Sequence, residues 1–188
     1  MRPKSFLLIT TIAVVSFVCP LFAQSIPSEH TKALDDSEII FPKPGSQQVL
    51  IFVIGFSKKG GDVCRDWGKH LSADYVQDSR VMYYQIPQLE GAPSFVRPMI
   101  LHGMRKSLTP QEQSHFVPLY EKQEEWKQAV HFSGPDDAYL IVADPEGHIV
   151  WQSHGNYSDS GYAELKKAVS SLLQKTSAAP SNSKPKTQ

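Results

Sequence analysis

The sequence predicts an α/β domain, an α/β/α sandwich with a mixed central sheet and a helical insert, and three observations predict it. The run Val49 to Phe56 (VLIFVIGF) is continuously apolar and rich in β-branched and aromatic residues, the pattern of a strand buried on both faces. A helical stretch and a second strand, Arg80 to Ile86 (RVMYYQI), follow it. Two later apolar runs, Ala138 to Ala143 and His148 to Gln152, are joined by Asp144-Pro145-Glu146-Gly147, where proline presets φ and glycine supplies a positive φ, so they read as a hairpin. A strand-helix-strand unit, a hairpin and a closing helix together give a mixed sheet with helices on its faces.

In chain order, Arg2 and Lys4 precede an uncharged apolar run from Phe6 to Phe22, then Ala23-Gln24-Ser25. This is the layout of a secretory signal peptide over residues 1–23, with cleavage after Ala23. A retained membrane anchor is the alternative, but a span needs about 20 apolar residues and this run is broken by Pro20 and several hydroxyl residues. Residues 24–46 are polar and carry Pro27, Pro42, Pro44 and Gly45, with Ile39-Ile40-Phe41 as their apolar cluster, and read as a linker or edge segment. The folded domain is expected over 47–175.

Within it, Lys58-Lys59-Gly60-Gly61 reads as a turn and Asp62 as the N-cap of a helix through Leu71. From Phe95 to Leu108 the apolar positions Phe95, Val96, Met99, Ile100, Met104 and Leu108 fall at helical spacing, which predicts a helix packed on the core with a basic outer face. A further helix is expected over Glu121 to Val130. The last begins near Ser158 or Ser160 and presents Tyr162, Leu165, Val169, Leu172 and Leu173 on one face. Residues 176–188 hold no side chain larger than lysine and read as a disordered tail.

Charge and motifs exclude several function classes. The 188 residues carry 19 Lys+Arg and 19 Asp+Glu; removing the signal takes two cations and no anion, for a net charge of −2. Neither a phosphate-attracting field for nucleic acid nor a basic block for an anionic membrane is present. No G-x-S-x-G, Gly-rich phosphate loop, paired catalytic carboxylates or H-E-x-x-H gives hydrolase, nucleotide or zinc chemistry a foothold, and no cofactor is implied. Cys19 leaves with the signal and Cys64 remains alone. In an oxidising compartment a lone cysteine is buried and inert, a free thiol, or half of an intermolecular bond.

The element order, with its DPEG hairpin running into Ile149-Val150-Trp151, resembles the thioredoxin-like superfamily over Val49 to Leu173. The insert FVRPMILHGMRKSLTPQEQ and the hairpin YLIVADPEGHIVWQSHG resemble the thioredoxin-like assembly factors of the mitochondrial ATP synthase. That resemblance implies a non-enzymatic chaperone role. The chain departs from the redox members of the superfamily, which start the helix after the central strand with C-x-x-C. A nucleophile and a resolver are both required for turnover, and here Gly61 stands three residues before Cys64. The cis-proline of redox members falls at Ala138 in an ungapped register, and the histidine ligand of the related copper chaperones falls at Asp136.

These residues lead to an exported protein, periplasmic or secreted, that acts as a binding or assembly factor for other envelope proteins. The expected partner surface is Arg97, Arg105 and Lys106 on the insert helix. A competing reading is a one-cysteine thiol peroxidase or disulfide-exchange enzyme, with Lys58, Lys59 and Arg65 favouring a Cys64 thiolate. A third is a copper carrier using Cys64 with His131 or His154, which offers little of the soft thiolate character that copper selects.

Overall fold

The computed structural model describes residues 24–178. Their elements, in chain order, are β1 (Glu29–Lys32), β2 (Glu38–Phe41), β3 (Val49–Gly55), α1 (Lys58–Tyr75), β4 (Val81–Pro87), α2 (Arg97–Ser107), α3 (Pro110–Gln113), α4 (Gln123–Ala129), β5 (Ala138–Ala143), β6 (Ile149–His154) and α5 (Asp159–Ala178). The signal segment 1–23 and most of the 176–188 tail lie outside the described residues. No helix among the described residues is long and apolar enough to cross a membrane.

The main sheet has the order β4-β3-β5-β6, with β3 parallel to β4 and antiparallel to β5, and β5 antiparallel to β6. Every residue of β3 and β5 is buried, as the uninterrupted apolar runs predict, because the two central strands must be covered on both faces. Val49, Ile51 and Val53 pack with Trp67 and Leu71 of α1 and Leu165 and Val169 of α5. Leu50, Phe52 and Ile54 face the other way into a cluster with Phe41, Trp126 and Val130. The DPEG turn forms as expected: the Gly147 amide donates to the Asp144 carbonyl at 2.9 Å, with Gly147 at φ +90°.

Residues 24–46 are not a linker. β1 and β2 pair as an antiparallel hairpin, and Ile26, Ala33, Leu34 and Phe41 are buried. Phe41 meets Phe52 edge-on at 5.1 Å between centroids and Trp126 at 5.9 Å, so the short apolar cluster seals one core. The Trp126 indole also donates to Glu29 Oε1 at 3.1 Å, giving its buried N–H the partner it requires.

α1 starts earlier than the Asp62 N-cap expected from sequence. Ser57 is extended (φ −142°, ψ 171°) and its Oγ accepts the Gly60 amide, so the helix begins at Lys58 and runs through both glycines. Gly60 is needed there for closeness: a Cβ would lie 2.7 Å from the Pro135 carbonyl oxygen and 3.0 Å from that of Asp137. The open edge of β4 is blunted by residues 115–119, whose backbone bonds to Gln85 and Pro87 continue the sheet.

Three substitutions test this packing. Phe41→Ala should lower unfolding free energy by about 3–5 kcal/mol in urea titration, whereas truncation in a tether would leave it within about 0.5 kcal/mol. Gly60→Ala should destabilise by about 1–3 kcal/mol. Gly61→Ala, whose Cβ meets nothing within 4 Å, should stabilise by about 0.5–1 kcal/mol through helix propensity.

Candidate functional site

The site begins where β3 ends and α1 starts. The first turn of α1, Lys58 to Gly61, carries no sulfur. Asp136 lies against this helix start instead: Ser57 Oγ donates to its Oδ1 at 3.0 Å and Lys59 Nζ to its Oδ2 at 3.1 Å. The Lys59 hydrogen bond, then that of Ser57, holds the Asp136 carboxyl below its ordinary value. The position that the ungapped register assigns to the copper chaperones' histidine, Asp136, is an ion-paired carboxylate. The peptide bond before Ala138 is trans; among the described residues the cis bond is Phe41–Pro42.

Cys64 lies nearly two turns into α1, on the face turned to the sheet, and is 5% exposed. Its Sγ packs on Gly55, where a Cβ would come within 3.2 Å. Burial pushes the thiol up to about 12, outweighing a backbone hydrogen bond that acts the other way. The cations expected to favour a thiolate have other uses: Lys59 binds Asp136, and Arg65 pairs with Asp62 at 3.2 Å. Of the three states open to a lone cysteine, the buried neutral thiol is the one this geometry supports.

The expected basic surface is only partly free. Arg97 donates to the carbonyls of Ala92 at 2.9 Å and Glu90 at 3.2 Å and lies 5.0 Å from the Tyr120 ring centroid. Arg105 donates to the Leu34 carbonyl at 2.7 Å and to Asp36 Oδ1 at 3.1 Å. Lys106 alone of the three is exposed with no such tether. The expectation that α2 packs on the core is also corrected: none of its residues is buried. Phe95 just before it and Met99 within it are 83% and 70% exposed.

The inner side of α2 instead walls a cavity of about 820 Å³. Ile100, Met104 and Leu108 face Gly61, Cys64 and Arg65 of α1 across it, and Val53, Gly55, Gln85, Ile86 and Gln88 belong to its floor and end. This is the crevice at the carboxyl ends of two parallel strands, where open α/β sheets bind ligands. Gln85 and Gln88 are 7% and 6% exposed, yet Gln85 Oε1 and both amide atoms of Gln88 have no hydrogen-bond partner. Each such orphan costs about 1–3 kcal/mol. Sequence reading missed this feature, although two glutamines at the end of an otherwise apolar strand, YYQIPQ, were a visible signal.

Among the described residues, one group of three or more metal-capable side chains comes together, Asp144, Glu146 and His148 on the hairpin. It is a turn motif, with Asp144 accepting the His148 amide at 2.8 Å and contacting its Nδ1 at 2.9 Å. Of the proposed copper partners, His154 is bonded to Asp137 at 3.0 Å, and His131 is exposed on a left-handed residue, φ 51°.

No protein-family model matches the chain, and no curated protein sequence does. Solved structures do resemble it. The thioredoxin domain of a thiol-disulfide oxidoreductase from Bacteroides vulgatus superposes with a TM-score of 0.53 at 16% identity, over 78% of this chain and 96% of that one. The fold is thioredoxin-like. BsSco, a member of the Sco family of cytochrome c oxidase assembly proteins, matches at TM-score 0.53 and 11% identity over 84% of this chain and 96% of that one. The exposed lipoprotein thioredoxin of Streptococcus pneumoniae matches at 0.51 and 10% over 76% and 98%. These neighbours share the fold, and none of the three is an ATP synthase assembly factor.

The Cys64 environment sets a measurable reactivity. With the thiol at about 12, roughly one molecule in ten thousand carries a thiolate at pH 8, so iodoacetamide should label the native chain at least about 100-fold more slowly than the urea-unfolded chain. Because the folded value is raised, this residue's contribution to stability is complete below the ordinary thiol value of 9.0 and is lost as pH rises toward about 12. Cys64→Val should flatten that part of the stability–pH curve relative to the native chain.

Proposed function

We propose that this chain is an exported thioredoxin-like binding protein, an assembly factor for envelope proteins, that works without redox turnover. The observation that carries the reading is the state of the sulfur: the first turn of α1 has none, and Cys64 is buried against Gly55 with its thiol pushed up. A nucleophile must be a thiolate with access to its target, and a two-step exchange also needs a resolver. The signal layout of residues 1–23 supports export. The Sco neighbour, described as belonging to a family of assembly proteins, and the insert's likeness to ATP synthase assembly factors support the assembly role. The same burial weighs against a peroxidase or copper carrier built on Cys64.

The partner surface is α2 with a changed emphasis. Arg97 and Arg105 hold the helix to the body, leaving Phe95, Met99 and Lys106 as its outward groups. Exposed aromatic and methionine side chains flanked by a cation are typical of interface cores.

Two measurements check this function. The purified chain with dithiothreitol should reduce insulin no faster than dithiothreitol alone, and catalytic turnover would sink the non-redox reading. Envelope proteins crosslinked to the native chain should be retained by Cys64→Ser and reduced about tenfold or more by Phe95→Ser with Met99→Ser. Equal capture by that double variant would remove α2 as the surface.

A further inference from the structure

We propose that the outer edge of β6, from Val150 to His154, takes an extended, uncharged polypeptide segment as a further antiparallel strand of the sheet. The strand order leaves β4 and β6 as the two edges of the main sheet. Residues 115–119 cover the β4 edge. The β6 edge is covered at its start alone among the described residues: the Ile26 amide donates to the Gly147 carbonyl at 2.9 Å, the Ile149 amide donates to the Gln24 carbonyl at 2.7 Å, and Ser25 bridges His148 in the antiparallel sense.

The ladder with β5 fixes which way the remaining backbone groups point. The Gly155 amide donates to the Ala138 carbonyl, and the register pairs Tyr139 with His154, Leu140 with Ser153, Ile141 with Gln152 and Val142 with Trp151. Bonded and non-bonded pairs alternate along an antiparallel ladder, so Trp151 and Ser153 bond inward to β5 while Gln152 and His154 turn their N–H and C=O groups outward. The register shift beside Ala143 inserts Val150 as an extra residue, so the outward positions run Gly147, Ile149 and then Gln152 and His154. Among the described residues, no hydrogen bond reaches the outward N–H or C=O of Gln152 or His154.

Those groups name the occupant. Donors and acceptors set in line along an extended edge are matched by another extended backbone, which is recognition by strand addition. Residues 24–26 supply the direction, since they already run antiparallel along the same edge. Cleavage after Ala23 would make Gln24 the first residue of the exported form, leaving the line of the edge beyond it to another chain. The edge's own side chains supply the composition. Edges that must stay unpaired carry charges or proline, whereas Val150, Trp151, Gln152 and Ser153 offer neither, and the His154 ring is held by Asp137 at 3.0 Å. Val150, 47% exposed, gives the incoming strand an apolar neighbour. This contact shares no residue with the outward face of α2 and needs no redox step.

The test uses the chain lacking residues 1–23 and an acetylated, amidated hexapeptide of alternating threonine and valine, N-methylated at every second amide so that it pairs along one side. In the free chain, NMR hydrogen exchange should show the Gln152 and His154 amides exchanging at least about tenfold faster than those of Trp151 and Ser153. Saturating peptide should slow Gln152 and His154 at least about tenfold, and the same peptide methylated at every amide should not. Gln152→Pro removes an outward N–H without touching a bond to β5 and should weaken binding at least about tenfold; should it fail to fold, His154→Pro serves. Equal protection of all four amides in the free monomer would overturn the proposal, as would no binding of the half-methylated peptide, equal binding of the fully methylated one, or full binding by a folded proline variant. Protection that grows with chain concentration in the absence of peptide would make a second copy the occupant and overturn it too.

Discussion

The close approach of α1 to the sheet is the constraint on which the rest of this structure depends. At Gly60 only a glycine permits the distance, and two further glycines stand where a Cβ would crowd a neighbouring side chain. A Cβ on Gly60 would strike the Pro135 carbonyl at 2.7 Å, one on Gly55 would meet Cys64 Sγ at 3.2 Å, and one on Gly68 would lie 2.4 Å from the Gln85 amide. Interiors are packed densely enough that none of these contacts can be relieved without moving backbone or a confined side chain. The helix therefore sits low over β3 and β4. That single proximity leaves Cys64 5% exposed at the cavity wall and traps Gln85 under the helix, where it finds no partner for its oxygen.

The same constraint decides an electrostatic contest. A helix start with Lys58, Lys59 and Arg65 nearby should lower a thiol's pKa, since dipole and cations both favour the anion. The dipole's influence fades within the first turn, and Cys64 lies beyond it. Lys59 is spent on Asp136 and Arg65 on Asp62, in exposed pairs of the kind worth little in water. Desolvation of the buried sulfur meets no comparable opposition, and the thiol rises. The helix start itself, the place where positive potential is greatest, belongs to the Asp136 carboxylate, which lowers its own pKa through the Lys59 and Ser57 bonds. A scaffold that elsewhere ionises a cysteine here ionises an aspartate.

What sequence could and could not reveal follows from the range of the interactions. β3, β5 and the DPEG turn were legible because each depends on local pattern: uninterrupted apolar runs, and a proline and glycine at fixed offsets. The N-cap of α1 was misplaced by five residues because Lys58-Lys59-Gly60-Gly61 has turn composition, while the reason for Gly60 is a carbonyl seventy-five positions away in sequence. The β1–β2 hairpin was hidden for a related reason. Its polar residues describe its exposed positions well, and the deep burial of Phe41 depends on Phe52 and Trp126, which arrive from other elements. The absence of a cysteine pair was plain in the sequence; the depth of the remaining cysteine was a question of packing, and the cavity with its two glutamines was not derivable from periodicity at all.

α2 shows how a helix can be held without being packed into a core. Its apolar spacing is that of a core helix, yet no residue in it is buried. Arg97 binds the carbonyls of Ala92 and Glu90 at one end, and at the other Arg105 binds the Leu34 carbonyl while Gln113 returns to the carbonyls of Arg105 and Leu108. Hydrogen bonds from charged donors contribute about 1.5–3 kcal/mol each, and they fix position without requiring contact along the helix's length. Burial of Ile100, Met104 and Leu108 against α1 would have achieved the same anchoring by closing the cavity. Polar tethers at the ends keep it open, so the apolar residues of α2 line a void on one side and, through Met99 with neighbouring Phe95, meet solvent on the other. The arginines read from sequence as partner contacts thus hold α2 so that one side of it lines the cavity and the other meets solvent.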